Sequence, residues 1–371
     1  MTSTPTPENR RAAYIDWTRG LAVLLMIEAH TLDAWTRAAS RTSTVYGYGA
    51  ILAGFAAPLF LWLAGVSIPL AAAAGVRRGR SRAAAAEGVV RRGLEIFILA
   101  FLFRVQAFIL SPGAHPVTIF RVDILNIMGP AIVMTALVWL LCESKTAMIV
   151  TCSVLAVAVS MLTPIVRHLA AFEALPRLVQ WYIRPAGDNT TFTSFPWIGF
   201  VFAGAAVGGL LTSVKEKPSE HRLLAAIGAT GVLLIAGGFY AASRPSIYAD
   251  ASFWTTSPAY FAIRAGVLMT TMAVLFGLEQ IVEAVAVPFA ALRLLAHFGR
   301  HSLFVYWIHV ELVYGYATWA IHRRLPLWGT AIAYVLFTAL MYGAVVLRDR
   351  LAGRWRRRKE QITLQYEATA V

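Results

Sequence analysis

The side chains of this 371-residue sequence that could do chemistry sit inside long apolar runs. Asp16, Arg19, Glu28 and His30 share one run, Asp123 and Asn126 open another, and Ser302, Tyr306 and His309 mark a third. Arg104, with Gln106, and Arg264 stand alone in two more. A charge within a membrane span costs at least ~2.5–3.5 kcal/mol, so each calls for a partner, a cavity or a substrate. An imidazole, with a reference pKa of about 6.5, can accept a proton near neutral pH, and phenols, amides and guanidiniums can stabilise an oxyanion.

At 100° per residue, Asp16, Arg19, Val23, Ile27 and His30 form one slightly drifting helical stripe. Asp16 and Arg19 are three apart and can pair, as structural glue or as part of a site. The helical rise leaves His30 about 20 Å away, towards the other membrane face, as a reactive group or a polar interfacial one. Asp123 and Asn126 share a face at the same depth, and Gly129-Pro130 permits a kink that opens a cavity. Capping of the helix start is the plain alternative for that pair. Ser302, Tyr306 and His309, at i, i+4 and i+7, line one face, either as a hydrogen-bonded seam or as a site. Arg104 and Arg264 are expected to neutralise a carboxylate such as Asp123 or to hold an anionic substrate group. Arg91 and Arg92, opening a span, either bind phosphates bidentately or supply topological charge.

The elements that must position these groups are membrane helices. The chain is 58% apolar and 14% charged, with a mean hydropathy of +0.64, too little charge to cover a soluble domain of this size. Its apolar runs of 18 or more residues are too long and unalternating for barrel strands. The expected fold is an all-α polytopic bundle with about ten spans, near 13–31, 47–74, 89–110, 121–142, 146–164, 195–213, 222–241, 258–283, 301–320 and 328–347. With the N-terminus inside, the inner segments carry 21 of 33 Lys+Arg and the outer ones 9, which places both termini in the cytoplasm of a multi-pass plasma or inner membrane protein. This bias accounts for the net charge of +14 without nucleic acid. Residues 1–347 read as one membrane domain and 348–371 as a basic cytoplasmic tail, whose Arg354–Lys359 run meets anionic lipid.

Asp16, Arg19 and Glu28 make the first run unlike a cleaved signal segment. Cys142 and Cys152 give no disulfide or metal framework, and no helix repeats His, Asp and Glu at ligand spacing, so no metal is expected. The loop at 165–194, with Pro176, Trp181, Tyr182 and Pro185, reads as packed, and its Asn189-Thr-Thr sequon is common by chance. Gly228, Gly231, Gly237 and Gly238 allow close packing of the seventh span. Phosphate-loop, dinucleotide-fingerprint, H-E-x-x-H and G-x-S-x-G motifs are absent from the sequence. With no internal repeat evident, an inverted-repeat transporter is not supported.

Ile15-Asp16-Trp-Thr-Arg19-Gly20, with Met26 and His30, resembles the D-x-x-R-G…M…H start of membrane-bound acyltransferases of the heparan-alpha-glucosaminide N-acetyltransferase-like group. Three further blocks are similar in order: Pro58–Ile68; Arg121, Leu125, Asn126 and Gly129, with Asn where Gln is usual; and Ser302, Val305, Tyr306, His309 and Glu311. Pro196-Trp197-Ile-Gly199 with Gly204 fits another helix, so the likeness runs from about 14 to 320. The resemblance implies transfer of an acyl group, expected to be acetyl, from cytoplasmic acyl-CoA to a hydroxyl or amine of a sugar or glycan at the outer face. It implies His30 as general base or transient acyl carrier, with Asp33 orienting it. Asn126, Tyr306 and His309 become oxyanion donors or acceptor ligands, and Arg91, Arg92, Arg104 and Arg264 hold the co-substrate. The lumenal N-terminal domain of the lysosomal enzyme has no counterpart here, so heparan sulfate is not implied. The rival reading is a transporter or flippase using the same polar groups to line a path, and a homodimer is left open.

Overall fold

A computed structural model describes residues 12–112, 115–214, 216–285 and 290–369, without the side chains of 356, 357 and 359–369. Arg10, Arg11, Lys215, Arg356, Arg357 and Lys359, all counted in the charge reading, therefore lie outside the described residues or side chains. The described chain forms thirteen α-helices joined by turns, loops and 3₁₀ segments. They are α1 (Ala13–Trp35), α2 (Thr44–Ala53), α3 (Ala56–Arg77), α4 (Arg82–Leu110), α5 (Ile124–Leu141), α6 (Lys145–His168), α7 (Arg177–Ile183), α8 (Ser194–Leu211), α9 (Lys217–Ala242), α10 (Pro258–Val285), α11 (Ala290–Arg300), α12 (Ser302–Tyr314) and α13 (Leu327–Thr369).

Among the described residues, eight stretches are long and apolar enough to cross a membrane: α2 with α3, then α4, α5, α6, α8, α9, α10 and α13. The protein is thus an all-α, polytopic membrane bundle. Helices also occupy the other two expected spans. α1 carries Asp16, Arg19, Glu28 and Asp33 and is less apolar, while α12 has 13 residues and extends only about 20 Å.

Three boundaries differ from the sequence expectation. The span at 47–74 is two helices separated at Gly54-Phe55. The span at 301–320 ends as a helix at Gly315 and continues as a 3₁₀ segment, Tyr316–Ile321. α13 runs unbroken past residue 347 into the basic stretch, so the tail begins as a continuation of the last helix.

Two crossings place α1 and α3 at the centre. A Cβ on Gly20 would overlap the Leu295 carbonyl, and one on Gly299 the Asp16 carbonyl, so α1 and α11 meet backbone to backbone. Gly65 and Gly204 bring α3 and α8 together in the same way. Between them lie the fully buried Ile27, Leu61, Trp62, Phe200, Phe202 and Phe298. Gly231 and Gly238 of α9 face α10, whereas Gly237 meets nothing within 4 Å. Apolar side chains on the outer helices, such as Val154, Leu233 and Leu336, stay exposed, as lipid-facing groups should.

Both ends of α1 are tied down. Glu279 of α10 accepts the amides of Ala13 and Tyr14 (3.2 and 3.1 Å), satisfying donors that a helix start leaves open. At the other end, Arg323 N donates to Ala34 O, Leu325 N to Trp35 O and Arg37 N to Leu325 O (2.8–2.9 Å). Trp35 Nε1 donates to Val313 O (3.2 Å), which fixes α1 against α12. Overpacking costs about 1–3 kcal/mol, so Gly20→Ala and Gly299→Ala should each lower the melting temperature of purified protein by several degrees, and Gly237→Ala should not.

Candidate active site

A cavity of about 1600 Å³ runs through the bundle between α1, α3, α4, α5 and α12. Ligand pockets are usually roughly 300–1,000 Å³, so there is room for more than one small substrate. On α4 alone its wall extends from Ala85 to Ala107, about 33 Å of helix, comparable to a hydrocarbon core. At the end where α1 begins and α13 leaves, it is lined by Arg19, Arg80, Arg92, Arg300, His301 and Arg348. At the opposite end it is lined by His30, Asp33, Arg121, Asp188, Tyr314 and His322.

His30 is on the wall of this cavity, and its orientation follows from a chain of hydrogen bonds. The Tyr314 phenol donates to Asp33 Oδ2 (2.8 Å), a carboxylate that can only accept. Its oxygen therefore accepts from His30 Nδ1 (3.2 Å), which puts the proton on Nδ1 and leaves Nε2 with a lone pair. The resemblance implied Asp33 as the group orienting His30; among the described residues the hydrogen bonds link the two through Tyr314. Arg41 holds Asp33 in turn through its side-chain oxygen (3.4 Å) and its carbonyl.

Edge to face with His30, at 5.1 Å between ring centroids, lies the fully buried His309. Its Nδ1 donates to Val305 O (2.8 Å), so Nε2 is again the acceptor, and it is buried without a hydrogen-bond partner among the described residues. In this tautomer His309 cannot donate to an oxyanion. Tyr306, one turn earlier, reaches the cavity.

Arg104 donates to Thr118 O (3.1 Å) and pairs with Asp123 (3.4 Å). Asp123 is the N-cap of α5 and forms a capping box with Asn126, whose Oδ1 accepts the Asp123 amide (2.9 Å). Asn126 Nδ2 donates to Tyr182 (3.4 Å). The fully buried Asn126 side chain thus has partners at both ends and does not line the cavity, so the structure does not bring it to the wall with Tyr306 and His30. Burial raises the Tyr182 phenol pKa in the packed loop. Asn189 gives its carbonyl to the Val122 amide (3.0 Å), holding that loop beside the α5 start.

Asp16 and Arg19 pair at 3.5 Å, and Arg19 also donates to Ser67 (3.2 Å) on the cavity wall. Arg264 lies over the Tyr260 and Trp197 rings (4.1 and 5.5 Å to centroids), with no carboxylate partner among the described residues. It is at the far end from the arginine-lined mouth, among Gly54, Phe192 and Trp197. Arg91 is off the cavity wall: adjacent helical residues are 100° apart, and only Arg92 faces inward. Both pair with Glu95 (3.5 and 3.2 Å). Sequence reading missed Tyr314, which at about 100° per residue lies well round α12 from the face that Ser302, Tyr306 and His309 share. It also missed Arg80, Arg300 and Arg348, which only the fold brings to Arg92.

His297, His301 and Asp349 form a cluster of metal-ligating types that the sequence reading did not anticipate. Arg348 donates to His301 Nδ1 (2.6 Å), and His301 Nε2 gives its proton to Asp349 (3.1 Å). A ligating histidine normally donates from its second nitrogen, and a guanidinium there opposes that arrangement.

A family model described as the heparan-alpha-glucosaminide N-acetyltransferase catalytic domain matches residues 11–240. No curated protein matches the chain significantly.

Proposed function

The chain belongs to the heparan-alpha-glucosaminide N-acetyltransferase catalytic family, and from that membership we propose that it passes an acetyl group from acyl-CoA on one membrane face to a sugar on the other. The observation that carries this reading is the single cavity with an arginine-lined mouth at one end and the His30 relay at the other. The positive-inside bias assigns the arginine mouth, and both termini, to the cytoplasm. There Arg80, Arg92, Arg300 and Arg348 suit the phosphates of coenzyme A, through bidentate guanidinium contacts. Arg104 lies deeper and, paired with Asp123, keeps further N–H groups for a developing oxyanion.

In the proposed step, His30 Nε2 takes the proton of an acceptor hydroxyl or amine as its oxygen or nitrogen attacks the thioester carbonyl. The new C–O or C–N bond forms, the negative charge on the carbonyl oxygen is met by Tyr306 and Arg104, and collapse expels the thiolate of coenzyme A. The proton on His30 then passes to that thiolate. Tyr314 and Asp33 hold the imidazole in the tautomer that can do this. An acyl-histidine would use the same nitrogen, and acid-quenched mass spectrometry of a single turnover distinguishes the two routes.

His30→Ala should abolish transfer in folded, purified protein, with partial rescue by added imidazole; unchanged turnover would remove His30. Tyr314→Phe keeps the ring and loses the link to Asp33, so kcat should fall roughly 10²-fold or more with KM values little changed. Arg92→Gln with Arg300→Gln should raise the acyl-CoA KM at least about tenfold, whereas Arg91→Gln should not. Counterflow of a labelled solute without consumption of acyl-CoA would favour the transporter reading instead.

A further inference from the structure

Glu311 has no part in the chemistry above, yet it is the most unusual carboxylate on the cavity wall. It is 7% exposed, and both of its oxygens are buried with no hydrogen-bond partner among the described residues. Buried polar groups are nearly always hydrogen-bonded, and a carboxylate left without donors is destabilising. Arg104, the cation whose field reaches it, is already bonded to Thr118 O and Asp123. On α12, Glu311 follows Tyr306, Trp307 and Val310 along the face that lines the cavity and precedes Tyr314, the residue that holds His30.

From this placement we infer that Glu311 is the specificity-determining residue for the acceptor, its side chain turning from its buried position on the wall so that the two oxygens accept two neighbouring hydroxyl groups of a sugar ring. The inference rests on the reading that the acceptor enters this cavity. A carboxylate is acceptor-only and presents its oxygens side by side, which matches two hydroxyls on adjacent ring carbons. Tyr306 and Trp307 beside it offer flat apolar faces to the C–H side of such a ring. An ammonium group is the competing donor, and the charge balance disfavours it: the wall holds nine arginines against Asp33, Asp123, Asp188 and Glu311. A net cationic cavity repels a cation and leaves neutral hydroxyls as the matching donors.

The test is equilibrium binding of methyl N-acetylglucosaminide to purified protein, which needs no turnover and carries no ammonium. Hydrogen bonds to a charged group are worth enough that Glu311→Gln should weaken binding roughly 10- to 100-fold, while Glu311→Asp, which keeps both oxygens, should retain part of it. The 3-deoxy or 4-deoxy sugar should bind the wild type more weakly than the parent sugar and bind Glu311→Gln no more weakly than the parent sugar does. Size-exclusion elution identical to wild type certifies that the variants are folded, and the deoxy series on wild type stands even where a variant is not. Equal losses for the deoxy sugars in wild type and variant would overturn the inference. So would a dependence on Glu311 seen only with free-amine glucosaminide, which would assign Glu311 to the amine. Binding lost in Glu311→Gln in a protein that performs no acyl transfer would keep the binding role and reject the enzyme reading.

Discussion

The hydrogen bond from the Tyr314 phenol to Asp33 decides the state of everything around it. With that proton given away, the phenol oxygen receives Nδ1–H of His30, and the imidazole keeps its Nε2 lone pair at the cavity wall. The three partners come from the end of α1 and the end of α12, two elements held in register by the Trp35–Val313 bond and by backbone ties between residues 34–37 and 323–325. A small slip of α1 along α12 would dissolve the relay. The glycine contacts between α1 and α11 at the opposite end, and Glu279 over the first turn, resist such a slip.

The polar groups inside the bundle divide into those that are satisfied by the protein and those that are not. Arg104 with Asp123, Asp16 with Arg19 and Asn126 in its capping box make their contacts at home. Among the described residues, His309 Nε2 and both oxygens of Glu311 are buried without hydrogen-bond partners, and Arg264 lies over the Tyr260 and Trp197 rings with no carboxylate partner. In a low-dielectric interior such groups persist when a ligand completes them or when function requires their reactivity. Their proximity to one elongated cavity gives that cavity a chemical direction, from an arginine-lined mouth to a far half lined by His30, Asp33 and Tyr314.

Much of the architecture was legible because membrane helices write themselves as long apolar runs, and every expected span meets a helix. The breaks at Gly54 and Gly315 were not legible, since glycine inside an apolar run is as compatible with close packing as with a helix end. The Asp123-x-x-Asn126 spacing already had the form of a capping box, the alternative that the geometry selects for Asn126. The Arg91-Arg92 pair looked like one site, although neighbouring residues on a helix cannot face the same way. Tyr314 was not legible from the stripe that starts at Ser302, because helical geometry turns it away from the face of Ser302, Tyr306 and His309. Arg80, Arg300 and Arg348 were not legible either, because no local pattern reports that three separate segments meet at one mouth.

The central claim is that donor and acceptor enter one cavity from opposite faces of the membrane. It is tested most directly in sealed proteoliposomes of known protein orientation, with labelled acetyl-CoA confined to one side and a membrane-impermeant sugar to the other. The account predicts labelled product only when acetyl-CoA is on the side bearing the chain termini and the sugar is opposite. Product formed only when both are on the same side would contradict it.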